Sequence, residues 1–451
     1  MTEKPRNFKE NAQKTGDAIK KAAAKTNVVM RRGFIAFSKK PMLQAWVIPL
    51  AAIFVSFIVA IIILAAVGVK NPTSALVTMF QGAGIFQKPR YGGGQSQLTD
   101  FMKLVNNVAP MILAALAVAV ALKAGLFNIG VSGQMILSGF VATVAVGYST
   151  MDTGISRFLV IVIGLVVGGS TGALMGFLKY KFNINEVVQS IMFNYIYMFV
   201  VTYFIYAKYL NPVTRTSNAI SENARLSIMN LPSGSVKIVF SFGMIIAALC
   251  CVLIWFLLKK TKTGYEIRAV GLNRKASNFG GISVGKNIVL AMTISGMLAG
   301  LAGVTYFLGS TNTIQPNTVI STGFDAIAVT LLGSSHPLGI VFASFLISGM
   351  TTGSAYMQGR TGVSTYIPSL LIGILLLFAA CGAFFKFYIG RIAEKLEEKE
   401  RLSSKLAAET AAAVTEAAAE VIPPETTQTL ESGQETPPDE GINNDKEDNG
   451  L

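Results

Sequence analysis

The chain is poor in charge. Of its 451 residues, 14% are charged and 52% hydrophobic, whereas soluble domains carry about 25% charged residues. Histidine occurs once, at His336, and cysteine three times, at Cys250, Cys251 and Cys381. All three cysteines lie in apolar runs. That excludes a disulfide framework and metal-ligand spacing, and leaves them as apolar filler. The sequence has no Gly-x-x-x-x-Gly-Lys-Ser/Thr phosphate loop, no His-Glu-x-x-His pair, no nucleophile elbow and no paired carboxylates inside an apolar run. Without them no catalytic set can be assembled, and ATP cannot be read by a phosphate loop of this chain. His336 precedes Pro337 in a turn and reads as a loop residue rather than a catalyst.

What is present is apolar length, with a mean hydropathy of +0.53. Apolar runs place spans near 43–69, 104–124, 126–148, 158–178, 188–208, 238–258, 288–309, 324–335, 338–356 and 366–388. The fold class is therefore an all-α polytopic membrane protein of about ten helices, some broken or short. The third run is polar at its start. The eighth is too short to cross ~30 Å of hydrocarbon as a helix. The first long run begins near Met42, too long for a signal-peptide core and long enough to span.

Charge is distributed unevenly. Residues 392–451 carry 15 acidic and 5 basic side chains, and the preceding 391 carry 9 and 33. The basic residues gather in loops beside the spans, which speaks for membrane orientation and against nucleic acid. The loop 259–286 holds seven Lys and Arg against Glu266 alone, so it and both termini should face the cytoplasm. Four parts follow: a basic N-terminal segment (1–41), a transmembrane domain (42–390), a helical extension (391–420) and an acidic, proline-containing tail (421–451) with the composition of disorder. In the first, Phe8, Ala12, Ile19, Ala23 and Val28 hint at a basic amphipathic helix on anionic lipid.

Three features carry function. The run Gly125–Met135 interrupts the apolar signal with glycines, amides and a hydroxyl. Irregular polar backbone at membrane depth survives only inside protein or beside a water-filled path, so such a break points to a transport route. The segment beginning Gly323-Phe324-Asp325-Ala326 is a second break of the same kind, which hints at repeated halves. Asp325 is a pathway residue or a carboxylate offsetting a helix dipole. A proton- or sodium-driven carrier usually sets acids or histidines at midspan, and one candidate favours an energy source outside the chain. Asn183 and Glu186 have the spacing of a helix-capping box. Finally, the loop 259–286 mixes Tyr265, Ile267, Val270, Leu272, Phe279 and Ile282 with its basic residues. Apolar side chains on short basic helices suit docking into a partner's groove, with Gly271 and Gly280-Gly281 as helix boundaries.

The chain resembles permease subunits of ABC importers, in the broad branched-chain amino acid, simple-sugar and nucleoside group, and most of all the nucleoside-uptake branch. The resemblance covers roughly residues 43–390. It is carried by Lys123-Ala124-Gly125-Leu126-Phe127-Asn128-Ile129-Gly130-Val131-Ser132-Gly133-Gln134, Asn185-Glu186-Val187-Val188 and Ile191-Met192-Phe193-Asn194-Tyr195-Ile196. Gly264-Tyr265-Glu266-Ile267-Arg268-Ala269-Val270-Gly271-Leu272-Asn273, Gly300-Leu301-Ala302-Gly303 and Gly323-Phe324-Asp325-Ala326-Ile327-Ala328-Val329 complete it. The family often has Glu where this chain has Ser132, so a helix-break or packing role replaces a charge role there.

The resemblance implies a permease for nucleosides in a bacterial plasma membrane, with simple sugars or branched-chain amino acids as the alternative cargo. It implies a cytoplasmic ABC ATPase partner that uses the ATP, a second homologous permease subunit or a second copy, and an extracellular substrate-binding lipoprotein. No cofactor or metal would sit in this chain itself. Path or gate residues would be Asn128, Ser132, Gln134, Asn194, Tyr195 and Asp325, and the ATPase-coupling loop would use Gly264, Tyr265, Glu266, Arg268, Gly271, Arg274 and Lys275. The rival of another class is a stand-alone secondary carrier or channel.

Overall fold

The computed structural model describes residues 41–91, 96–233, 236–364 and 366–420. The expected N-terminal amphipathic helix and the acidic tail lie outside these residues. The chain divides into a main unit, Phe37–Ile389, and a second made of Met1–Ala36 with Gly390–Leu451.

Helix α1, Pro41–Ala66, shows how a span is written here. Ile48, Ala52, Ser56, Ala60 and Leu64 recur every four residues and are buried, while Leu50, Phe54, Ile58 and Ile62 form the opposite, exposed apolar stripe. One face packs on protein and the other suits lipid. Helix α2, Pro72–Gly82, is too short to cross. It doubles back so that Gly82 meets Gly353 and the next turn meets the start of α3 at Asp100 and Phe101. This half-helix was not evident from hydropathy. Helix α3, Gln97–Lys123, is the most enclosed span. It opens on a capping box between Ser96 and Thr99, carries Asp100 in its first turn and ends on Lys123, so both ends complement the helix dipole.

Helix α4, Val131–Ala142, continues as a π-helical turn to Gly147. The third apolar run therefore becomes helical five residues later than expected from its start at 126, because Gly125 takes φ +67° and residues 126–129 stay irregular. Helix α5, Thr153–Phe182, ends where Asn183 adopts the left-handed conformation. Asn183 is thus not the cap of the next helix, α6, Glu186–Phe204. The cap is Asn185, whose side chain accepts from Val187 N at 2.9 Å, and Glu186 instead pairs with Lys179 at 2.8 Å. A π-helical turn carries α6 to Tyr209.

Between α6 and the next span lies the one described sheet, an antiparallel hairpin of β1 (Ser227–Ser233) and β2 (Val236–Ser241). It is a small exception to the all-α class. The amide of Asn106 on α3 seats it, donating to Val239 O and accepting from Ser241 N, both at 2.9 Å. Helix α7, Gly243–Lys260, returns the chain to the Lys123 end. Two short helices follow, α8 (Lys262–Leu272) and α9 (Arg274–Phe279). The break between them falls at Asn273, which caps α9 by accepting from Ala276 N. Helix α10, Val284–Tyr306, then crosses, with a π-helical turn to Thr311.

Helix α11, Ser321–Leu332, resolves the short eighth run. Residues 312–320 precede it as an irregular leg. Asn317 N donates to Thr202 and Ile320 O accepts from Ser132, whose neighbour Gly133 binds Asn194. Thr202 and Asn194 lie eight residues apart on α6, about 12 Å along the helix. The leg thus covers the depth that α11 is too short to cover. Helix α12, Pro337–Thr361, and α13, Tyr366–Ala380, follow, and the last apolar run breaks at Cys381 before α14, Gly382–Glu420. Seven described helices are long and apolar enough to cross a membrane, and α4, α11 and α13 are shorter apolar helices. Together they are ten described apolar helices.

The most extensive helix-to-helix contact is between α5 and α10. Gly164, Gly168, Gly172 and Gly176 are spaced four apart, opposite Gly296 and Gly300. A methyl group at Gly168 would overlap the backbone of Gly296 and Gly300, and one at Gly172 the backbone of Met292 and Gly296. Small residues let two backbones touch where lipid offers no hydrophobic drive for association.

Candidate functional site

The two broken passes meet at the centre of the main unit. Ser132 Oγ donates to Ile320 O at 2.9 Å, and a methyl at Gly323 would collide with Ser132. Around this contact the amides form a closed network. Asn128 Nδ2 donates to Gln134 Oε1 at 3.2 Å and to Ser295 Oγ at 2.9 Å, and its Oδ1 accepts from Gly130 N at 2.9 Å. Ser295 Oγ passes a bond on to Ala117 O at 2.6 Å. Asn194 ties α6 to the junction, accepting from Gly133 N at 2.7 Å and donating to Ile129 O at 3.0 Å. Gln134 Nε2 reaches Met175 Sδ at 3.1 Å.

Asn128, Ser132, Gln134, Asn194 and Ser295 are all buried, none more than 1% exposed. Their hydrogen bonds replace the backbone pairing lost between Gly125 and Gly130, which is what irregular backbone away from water requires. Four of these five are path residues expected from the sequence. The fifth, Ser295, has as its only sequence signal a hydroxyl amid the glycines of α10. Tyr195 and Asp325 lie apart from the network. Tyr195 is half exposed on α6, and Asp325 is half buried one turn into α11, with Ser321 as its side-chain hydrogen-bonding neighbour. A second polar knot was also missed: Lys88 Nζ lies 2.6 Å from the buried Asp100 and 4.5 Å above the Tyr356 ring.

The expected coupling residues form one unit at the Lys123 end. Gly264 packs on Leu257 and Leu258, and Gly271 on the carbonyl of Lys123 and the backbone of Ala124 and Gly125. Arg274 Nη2 donates to Gly125 O at 3.2 Å. Glu266 accepts from Asn287 Nδ2 at 3.0 Å, joining α8 to α10. Arg268 and Lys275 stay exposed. On the outer side of α8 and α9 runs a groove of about 700 Å³ lined by Tyr265, Ala269, Leu272, Ala276 and Ile282 among others. Leu272 in its lining and Phe279 near by are 89% and 92% exposed. Close by, burial pushes the His336 imidazole below its ordinary pKa, and the positive charges of Lys259 and Lys123 add to this.

A polytopic helical bundle with broken passes at its centre and a small basic helical pair beneath them defines a membrane permease. The chain belongs to the family described as the branched-chain amino acid transport system / permease component, whose model matches residues 101–380. It is 36% identical over 293 residues to the guanosine ABC transporter permease protein NupP of Bacillus subtilis, covering 64% of this chain and 84% of that one. It is 33% identical over 341 residues to the nucleoside ABC transporter permease protein NupB of Lactococcus lactis, covering 74% and 90%. The nucleoside ABC transporter permease protein NupC of the same organism is 24% identical over 270 residues, covering 58% and 83%. No solved structure matches the chain.

Proposed function

We propose that this chain is a permease subunit of an ATP-driven importer that carries nucleosides inward across a bacterial plasma membrane. The observation that carries the mechanism is the contact of Gly271 with the segment entering α4. A load on α8 and α9 is felt directly by the polar junction between the broken passes. In this reading the groove of α8 and α9 receives a cytoplasmic ABC ATPase, which binds and hydrolyses the ATP. Both termini share that side of the membrane. Asn128, Ser132, Gln134 and Asn194 hold the junction closed or open, and Asp325 and Tyr195 belong to the surface around it. The nucleoside cargo is supported by the two relatives above 30% identity. Two different permease proteins of one Lactococcus organism resemble this chain, which fits pairing with a second, related permease. A substrate-binding lipoprotein delivers the nucleoside outside.

The test is uptake of labelled nucleosides, ribose and branched-chain amino acids in a strain with and without the chain, together with co-purification of an ATPase. Nucleoside uptake that is lost with the chain and restored by it is the expected result. Uptake of ribose or amino acids in its place would replace the cargo, and an active chain that retains no ATPase would replace the class.

A further inference from the structure

Asn107 lies on α3 sixteen residues before Lys123, about 24 Å from that end, in the outer third of the membrane in the orientation proposed above. Its amide is held from two sides. Nδ2 donates to Thr352 Oγ1 on α12 at 3.1 Å. Oδ1 accepts from Ser310 Oγ, in the π-helical turn after α10, at 2.6 Å. Three separate elements thus converge to orient one side chain.

An amide carries two N–H donors and two acceptor lone pairs. These two bonds use one of each. One donor and one acceptor remain, and exchanging the two ends of the amide leaves that count unchanged. Asn107, Ser310 and Thr352 are all half-buried. Lys103, one turn further out on α3, leaves its side chain 56% exposed, and Thr351 is exposed on α12. This surface differs from the outer faces of α5, α6 and α7, which expose Phe158, Phe199 and Leu249. Lys103 reaches Asp100 and Thr351 donates to Ile347 O, but an exposed lysine beside a run of amide and hydroxyl side chains still suits water or protein better than hydrocarbon, so the α3–α12 face looks away from lipid.

We propose that Asn107, oriented by Ser310 and Thr352, binds the nucleobase of the substrate at the outer part of the path. The proposal deepens the nucleoside reading and rests on it. Every nucleobase offers an edge with a donor beside an acceptor, as adenine does with N6 and N7, and an asparagine amide is complementary to such an edge. The sugar alone lacks that planar pair. Asn107 is the contact, and Ser310 and Thr352 are positioning residues.

The experiment is nucleoside uptake by the complete transporter in cells, comparing wild type with N107L, T352V and S310A at matched membrane levels. Each neutral hydrogen bond lost should raise KM roughly 3- to 10-fold. N107L is therefore expected to raise KM most, with Vmax within about twofold, and T352V and S310A less. A free nucleobase should compete with uptake in wild type and lose that effect in N107L, while ribose competes in neither. Unchanged KM and unchanged competition in N107L overturn the proposal. If N107L fails to reach the membrane, T352V, which removes one hydroxyl, decides by the same criterion. A wild type that moves no nucleoside removes the reading of cargo and this proposal together, whereas nucleoside uptake indifferent to all three substitutions removes this proposal alone.

Discussion

Gly125 and Gly271 meet backbone to backbone. A methyl on Gly125 would lie 3.0 Å from the Gly271 carbonyl oxygen, and one on Gly271 would overlap the Lys123 carbonyl and approach Gly125 N to 2.9 Å. Gly125 also holds φ +67°, a region that costs side-chain-bearing residues roughly 1–3 kcal/mol. The two glycines stand 146 positions apart in the chain, in two of the motifs that together carry the family resemblance. Their contact is the mechanical link between the short basic helices and the broken pass.

Gly271→Ala should therefore uncouple the two. The added methyl has only backbone to push against, so α8 must shift. We expect uptake to fall at least about tenfold, corresponding to roughly 1.4 kcal/mol, with the protein still inserted. Gly280→Ala, whose added methyl would sit 3.5 Å from its nearest neighbours, is the control. Equal uptake by the two variants would remove the link.

Substitution in the α5–α10 contact should act on stability. Gly168→Leu forces backbones apart, and overpacking of this kind costs about 1–3 kcal/mol. A lowered melting temperature of the detergent-solubilised protein is the readout. Gly154→Leu, whose added methyl would meet only the Asp152 carboxylate at 3.8 Å, should leave the temperature near that of wild type.

Asn128→Ala should weaken the junction more than Ser295→Ala. The first change leaves Gly130 N without its side-chain acceptor and orphans the Gln134 carbonyl; the second removes one donor and one acceptor together. A buried polar group left unpaired costs about 1–3 kcal/mol. Protease cleavage between residues 125 and 130 measures the opening. A Ser295→Ala protein cleaved faster than Asn128→Ala would contradict the bond pattern.

The ring of His336 gives a pH test, and as the chain's one histidine it needs no assignment. Burial, then Lys259 and Lys123, hold its pKa below the ordinary 6.5. The unfolded chain therefore binds the proton at higher pH than the folded one. The stability it contributes is complete above about pH 6.5 and is lost as pH falls through that value toward the folded pKa. Ring-labelled histidine observed by NMR should titrate below 6.5, and Lys259→Gln should move the midpoint up. A wild-type midpoint above 6.5 would contradict this.

Leu272→Asp combined with Phe279→Asp should abolish retention of the ATPase while leaving the melting temperature of the isolated chain within about a degree. Both side chains are almost wholly bare, and surface changes of this sort shift stability by roughly 0.5 kcal/mol or less. Retained ATPase with both substitutions in place would exclude the groove as the docking surface.

The apolar passes were legible in the sequence because hydrocarbon demands length and composition, and both are local properties. The irregular start of α4 was legible for the same reason, as Gly125, Asn128 and Ser132 interrupt an apolar run. Helix boundaries were less so. Asn183 and Asn185 are equally good caps on composition, and only the left-handed turn at Asn183 assigns it to the helix before. The half-helix α2 and the hairpin escaped because neither is long enough to produce a hydropathy signal. Ser295 and Asn107 escaped because their meaning lies in partners 167 and 245 positions away, and no local pattern records such a distance. The polar candidates that the reading did find drew together into the junction, except for Tyr195 and Asp325, which share its motifs but not its hydrogen bonds.

The glycine contact between α5 and α10 has a mechanical consequence. Two backbones in direct contact have no side-chain rotamers between them to adjust, so the pair cannot bend or slide by small repacking steps. It acts as a strut about 35 Å long, the length of the 23-residue α10. Its lower end is anchored to the short basic helices by Glu266 and Asn287, across the left-handed turn at Gly281. Its upper end stops in the π-helical turn that carries Ser310. A strut of this kind links the short basic helices below to one of the two elements that hold Asn107 above.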